Sequence, residues 1–181
     1  MTVIAIIVFI CIIGGVFALL DKSGMLQYIM NGLVRRFEAK KYRLMAVLVV
    51  FFMLFGSVFG IFEELVALVP IVILLSRALG WDSLTGLGMS ALAAGFGFAS
   101  ATMNPFTLGV AQELAGLPAF SGIGFRLVVF AICYSVLYLY LYRYARKIEA
   151  VPQKSPVYAE DLAYKEKNAA AATVERLPNE P

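Results

Sequence analysis

Asn104-Pro105-Phe106-Thr107, set inside the uncharged stretch from Ser83 to Gln112, decides the reading of this chain. A proline interrupts a run of thirty residues that carries no charge, and a bilayer core holds no water to hydrogen-bond the backbone groups it frees. Such a break holds at membrane depth only where protein or a polar cavity receives those groups. The residues around it are small and polar: Gly95, Gly97, Ser100, Thr102 and Asn104. They let a ligand approach the backbone and offer it hydroxyl, amide and carbonyl oxygens, the means by which broken helices build ion and substrate sites.

Composition agrees with a membrane setting. Of 181 residues, 61% are hydrophobic and 15% charged, and the mean hydropathy is +0.85, which no soluble domain with a polar surface matches. The chain reads as an all-α polytopic membrane protein. Thr2 to Leu20 gives nineteen uncharged residues, near the ~20 that cross a hydrocarbon core. No basic residue precedes them, so a cleaved signal peptide is not expected. Cys11 and Cys133 fall in apolar helices and read as small buried thiols rather than a disulfide. No histidine occurs, which removes imidazole acid–base chemistry and the commonest transition-metal ligand. No catalytic residue, no metal site beyond sodium and no nucleic-acid partner is expected.

The membrane domain is expected over 1–148. After the span at 2–20, Asp21 to Arg43 holds six basic residues against two acidic ones. Within it Leu26, Ile29, Leu33 and Phe37 recur at helical spacing, which predicts an interfacial amphipathic helix over 25–38, or a connector packed on protein. Leu44 to Ser76 has thirty-three residues, too few for two full crossings, which need about 40. A re-entrant helical hairpin is therefore expected over 44–78, with its tip at Gly56 to Gly60 and Pro70 in its second arm. Gly56 and Gly60 serve equally as a close-packing face. Glu63 and Glu64 follow the tip, where a carboxylate costs about 2.5–3.5 kcal/mol on the insertion scale. Either they cap the second arm, or one of them coordinates a cation or carries a coupling proton. Adjacent helical residues point about 100° apart, so only one faces such a site.

Ser83 to Ala115 reads as one broken transmembrane helix, followed by a Gly/Pro turn at Gly116 to Gly122 and a last span over 123–142 with an aromatic belt at Tyr138, Tyr140, Tyr142 and Tyr144. Basic residues cluster in Asp21–Arg43 and again at Arg143, Arg146 and Lys147, with none from Ser83 to Phe125. This distribution predicts an N-terminus outside and a cytoplasmic tail in a multi-pass protein of the cytoplasmic (inner) membrane. The stretch 149–181 is polar and reads as a cytoplasmic tail or linker without a packed core, with a marginal helix near Asp161 to Val174.

An ordered series of motifs carries a family resemblance: Gly14-Gly15-Val16-Phe17, Glu63-Glu64 with Pro70, Leu79-Gly80-Trp81-Asp82, Asn104 to Gln112, Ala115-Gly116-Leu117-Pro118 and Ser121 to Arg126. Over about Ile4 to Tyr158 the chain resembles the YfcC-type proteins of the C4-dicarboxylate carrier (DcuC-like) group, in the ion transporter superfamily. The resemblance implies a carrier of two inverted repeats, each with a re-entrant hairpin and a broken helix. This chain is similar to the first repeat and the linker after it, and the second repeat is expected from another chain or another copy. It further implies that Ser57, Ser100, Thr102, Asn104 and Thr107 lie nearest the substrate and coupling cation, with Glu63 and Glu64 beside them and Gly56, Gly60, Pro70 and Pro105 at the structural breaks. The expected function is secondary active transport of a small organic anion or amino acid, coupled to sodium or protons and needing no other cofactor. The competing reading is a non-transporting truncated fragment or partner subunit of a membrane complex.

Overall fold

A computed structural model describes residues 40–62 and 64–174, together with Leu19 and Ser23. Apart from Leu19, the span expected at 2–20 lies outside the described residues, as do the interfacial helix at 25–38, Cys11 and Glu63. Every regular element that is described is helical. α1 starts at Lys41–Leu54 and continues through a π turn at Phe55–Phe59. A short 3-10 turn, Glu64–Leu68, leads into α2, Val69–Ala78. α3 is Ser83–Ala99, with a π turn at Gly88–Leu92. α4 runs over 105–114, α5 is Ile123–Ala150, and α6 is Tyr158–Val174.

Helices Lys41–Phe59 and Ile123–Ala150 are long and apolar enough to cross a membrane. The first exceeds the arm expected from Leu44 to Phe55. Phe55-Gly56-Ser57-Val58-Phe59 stays helical by widening to π geometry, and the chain turns only at Gly60, whose φ of 69° is left-handed. Pro70 sits in the first turn of α2, where its missing N–H costs no hydrogen bond, so it starts that helix instead of breaking it. Both α1 and α2 pack on α3 rather than along each other.

The α1–α3 crossing is unusually close. A Cβ on Gly97 would lie 2.1 Å from the Met53 carbonyl oxygen, and one on Gly56 would lie 2.3 Å from that of Ala94. Removing the side chain at both contacts lets the two backbones touch, which is how helices associate where lipid removes the hydrophobic drive between them. Met45, Val49, Phe52 and Met53 of α1 fill the layer with Met89, Ala93 and Ala94 of α3, and Leu137, Leu141 and Ala145 of α5 close it.

Asp82 ties three elements together at one end of the bundle. Its Oδ1 accepts from Thr85 N (2.8 Å) and Thr85 Oγ1 (2.6 Å), capping α3. Its Oδ2 accepts from Tyr144 OH (2.7 Å) of α5 and Ser155 Oγ (2.6 Å) of the segment beyond it. Close by, Asp161 of α6 pairs with Arg77 at 2.7 Å and accepts from Ser83 N at 2.8 Å, while the Arg77 guanidinium lies 4.2 Å from the Tyr164 ring. The stretch 149–181 reads in the sequence as a tail or linker without a packed core. Its first half is anchored here, through single polar residues whose partners lie 73 to 84 positions away in the chain.

Two outcomes follow. Gly97→Ala forces Cβ into the Met53 carbonyl and should lower stability in detergent by about 1–3 kcal/mol, whereas Gly124→Ala, with open space around it, should be neutral or stabilising by up to ~1 kcal/mol; thermal unfolding of both variants checks this. For Asp82, burial pushes the carboxyl up, but hydrogen bonds led by Ser155, then Thr85 and Tyr144, outweigh it and hold the pKa below the usual carboxylate value. A folded pKa below the unfolded one, about 3.9, means the stabilisation is present above that value and lost as pH falls through the folded pKa. Asp82→Asn should cost about 1–3 kcal/mol at neutral pH and flatten the acid limb of a melting-temperature profile; an unchanged limb would remove Asp82 from its cause.

Candidate ion and solute site at the helix break

The break in the chain occupies 100–104, between α3 and α4. It packs on the last turn of α1, and the two strips of backbone satisfy each other. The Ser57 carbonyl accepts from Thr102 N (3.1 Å) and Met103 N (3.2 Å), two amides the break would otherwise orphan. Ser57 Oγ also accepts from Thr102 N at 3.0 Å and shares a 3.0 Å hydrogen bond with Thr102 Oγ1. Ser100 Oγ donates to the Gly97 carbonyl at 3.2 Å. Ser57, Ser100, Thr102 and Asn104 are all buried.

Asn104 holds the far side of the break. Its Oδ1 accepts from Phe106 N (2.8 Å) and Thr107 N (3.3 Å), so it caps α4, and Pro105 occupies the first turn, where it needs no acceptor. Its Nδ2 donates to the Gly56 carbonyl at 3.4 Å. A Cβ on Gly60 would lie 2.2 Å from Asn104 Oδ1, so glycine is required there for space as well as for its φ.

Of the residues singled out in the sequence, Ser57 and Thr102 meet directly and Asn104 reaches the carbonyl of Gly56 beside them, while Ser100 is buried and bonds back to its own helix at Gly97. Thr107 contributes its backbone N–H to the Asn104 cap and is itself exposed. Glu63 lies outside the described residues; Glu64 opens the 3-10 turn, and its side chain lies outside them too. Gly56 and Gly60 shape the packing beneath the junction. Among the described residues, no donor reaches the carbonyls of Ala101, Thr102 or Met103, and no group of three or more His, Cys, Asp or Glu could hold a metal ion. The junction offers hydroxyl, amide and carbonyl oxygens and no fixed positive side chain, a lining suited to a hard monovalent cation or an ammonium group.

Two further residues organise the structure around the break. Asp82, just before an apolar run and three residues ahead of Thr85, carries the sequence signature of an N-cap. Gln112 is buried and braces the turn after α4, with Nε2 donating to Ser121 O (3.1 Å) and Oγ (2.9 Å) and Oε1 accepting from Phe120 N (2.8 Å). Nothing local in the sequence marks Gln112.

The described residues combine two helices long and apolar enough to cross a membrane with a buried polar junction at a helix break. The family described as "C4-dicarboxylate anaerobic carrier" (DcuC) matches residues 1–179, and the chain belongs to that family. It is 36% identical over 168 residues to the "Putative basic amino acid antiporter YfcC" of Escherichia coli strain K12, covering 93% of this chain and 33% of that protein. It is 33% identical over 153 residues to an uncharacterized protein of Haemophilus influenzae, covering 84% of this chain and 30% of that one. The chain thus spans about a third of the length of the curated relatives it matches. No solved structure matches it.

Asn104→Ala removes the α4 cap and leaves the Gly56 carbonyl without its donor. It should cost about 1–2 kcal/mol, read by chemical unfolding in detergent; a loss below a few tenths would mean the cap is replaced by water.

Proposed function

We propose that the chain forms one half of a secondary active carrier, moving a small organic solute, a carboxylate or an amino acid, across the cytoplasmic membrane with sodium or protons as the coupling ion. The observation that carries this reading is the buried junction of Ser57, Thr102 and Asn104 at the helix break, in a chain of a carrier family. Ser57 lies sixteen residues along α1 from Lys41, about 24 Å at 1.5 Å per residue. That depth is near the middle of a bilayer of about 40–45 Å including headgroups, where carriers hold their ligands.

In this reading the oxygens of Ser57, Ser100, Thr102, Asn104 and Thr107 receive sodium, and Glu63 or Glu64 takes part when protons couple. The names of the family and of the E. coli relative point to different solutes, a four-carbon dicarboxylate and a basic amino acid. The oxygen-rich lining favours the cationic one at this junction. A carboxylate approaching the start of α4 finds the Phe106 and Thr107 amides already taken by Asn104 Oδ1. The remainder of the binding surface comes from a second repeat. The basic ends of the helices, with Lys41, Arg77 and Arg146 drawn to one end of the bundle, support a cytoplasmic location for that end and for the tail.

The test is uptake into proteoliposomes of radiolabelled arginine and succinate, by the chain alone and with the remaining two-thirds of the E. coli relative supplied as a separate chain. Uptake driven by a sodium or proton gradient, with Ser100→Ala and Thr102→Val weakening the dependence on the coupling ion severalfold, is the expected result. Glu63→Gln should shift the pH dependence where protons couple. If neither assembly takes up either solute, the fragment or partner-subunit reading replaces this one.

A further inference from the structure

At the basic end of the bundle a cavity of about 460 Å³ opens between the start of α1 and the end of α5, lined by Tyr42, Tyr142, Arg146, Glu149 and Ala150. Its one carboxylate is committed: Glu149 Oε1 accepts from Lys41 Nζ at 2.6 Å and Oε2 from Tyr42 OH at 2.5 Å. Arg146 has no such partner. Among the described residues its guanidinium makes no ion pair and no hydrogen bond; it lies 5.8 Å from the centre of the Tyr142 ring and close enough to Tyr42 to act on it electrostatically, and the Tyr142 hydroxyl donates to no described residue. The cavity therefore presents an uncommitted cation and a free hydroxyl, with Lys41 adding a second positive charge at its edge.

We propose that this cavity binds the headgroup of an anionic phospholipid, its phosphate facing Arg146 and the Tyr142 hydroxyl. The lipid source follows from the helix that carries Arg146. Ile132, Val136 and Leu139 are exposed at helical spacing along α5, and Leu139 lies seven residues, two turns, before Arg146 on the same face. An acyl chain lying along that apolar strip brings its phosphate to the cavity, whereas a free anion gains nothing from the strip. Basic pockets between helices near the cytoplasmic surface are sites where such headgroups concentrate, and arginine matches phosphate geometry with paired donors. The proposal is independent of the transport reading, since it rests on no residue of the helix break.

The experiment is thermal unfolding of the full chain in detergent micelles doped with phosphatidylglycerol, with phosphatidylcholine or with sodium phosphate. Phosphatidylglycerol should raise the melting temperature more than phosphatidylcholine, and Arg146→Ala should weaken its apparent affinity about tenfold, the loss of one charged hydrogen bond. Lys165→Ala makes the same charge change on an exposed part of α6 and should leave the affinity unchanged. Arg146 is exposed, so its variant folds; Tyr142→Phe gives a second, smaller loss. Equal weakening by Lys165→Ala would reduce the effect to diffuse charge and overturn the site. Wild-type affinity in Arg146→Ala would overturn it too, and an equal shift from sodium phosphate would overturn the lipid assignment.

Discussion

A backbone that leaves its helix where water does not reach must be satisfied by the protein, and the Ser57 carbonyl does this for the break after α3. One carbonyl accepts both Thr102 N and Met103 N, two groups whose desolvation without partners costs about 1–3 kcal/mol each. The acceptor must come from a helix that has itself loosened. The π turn at Phe55–Phe59 disturbs the regular ladder of α1, leaving Ser57 O to face the break after α3. Two irregularities that would each be unfavourable alone are stable because they face each other.

That meeting requires backbones closer than ordinary side chains permit. Gly56 and Gly97 leave no Cβ between α1 and α3, and Gly60 leaves none over Asn104. The glycines below the junction and the polar residues within it therefore form one unit: widening the crossing by one methyl group moves Ser57 away from Thr102 and undoes the hydrogen bonds that make the break tolerable. The close-packing reading of Gly56 is met directly by its contact with the Ala94 carbonyl.

The sequence showed the helical membrane class and the position of the break, because composition and a proline in an uncharged run are local signals. Thr102 and Asn104 were legible as residues of the break, whereas Ser57, forty-five residues earlier, was joined to them only through the family resemblance. The extent of α1 was not, because Gly56-Ser57 reads as a turn when only local propensity is weighed, and the packing of α3 that keeps it helical lies some forty residues on. The anchoring of the tail was equally hidden. Ser155 and Asp161 look like ordinary linker residues until Asp82 and Arg77 are brought beside them, and sequence periodicity carries no trace of that pairing.

Asn104 shows how a site of this kind can be closed and still poised. Its oxygen holds the first amides of α4 and its nitrogen holds the Gly56 carbonyl, so both polar atoms of the side chain are engaged within the fold. At the proposed site a cation would find the carbonyls of Ala101, Thr102 and Met103 without donors among the described residues, while a carboxylate would have to exchange for the amides that Asn104 caps. The longest of these contacts, Nδ2 to Gly56 O at 3.4 Å, is the weakest on distance alone and is where such an exchange would begin.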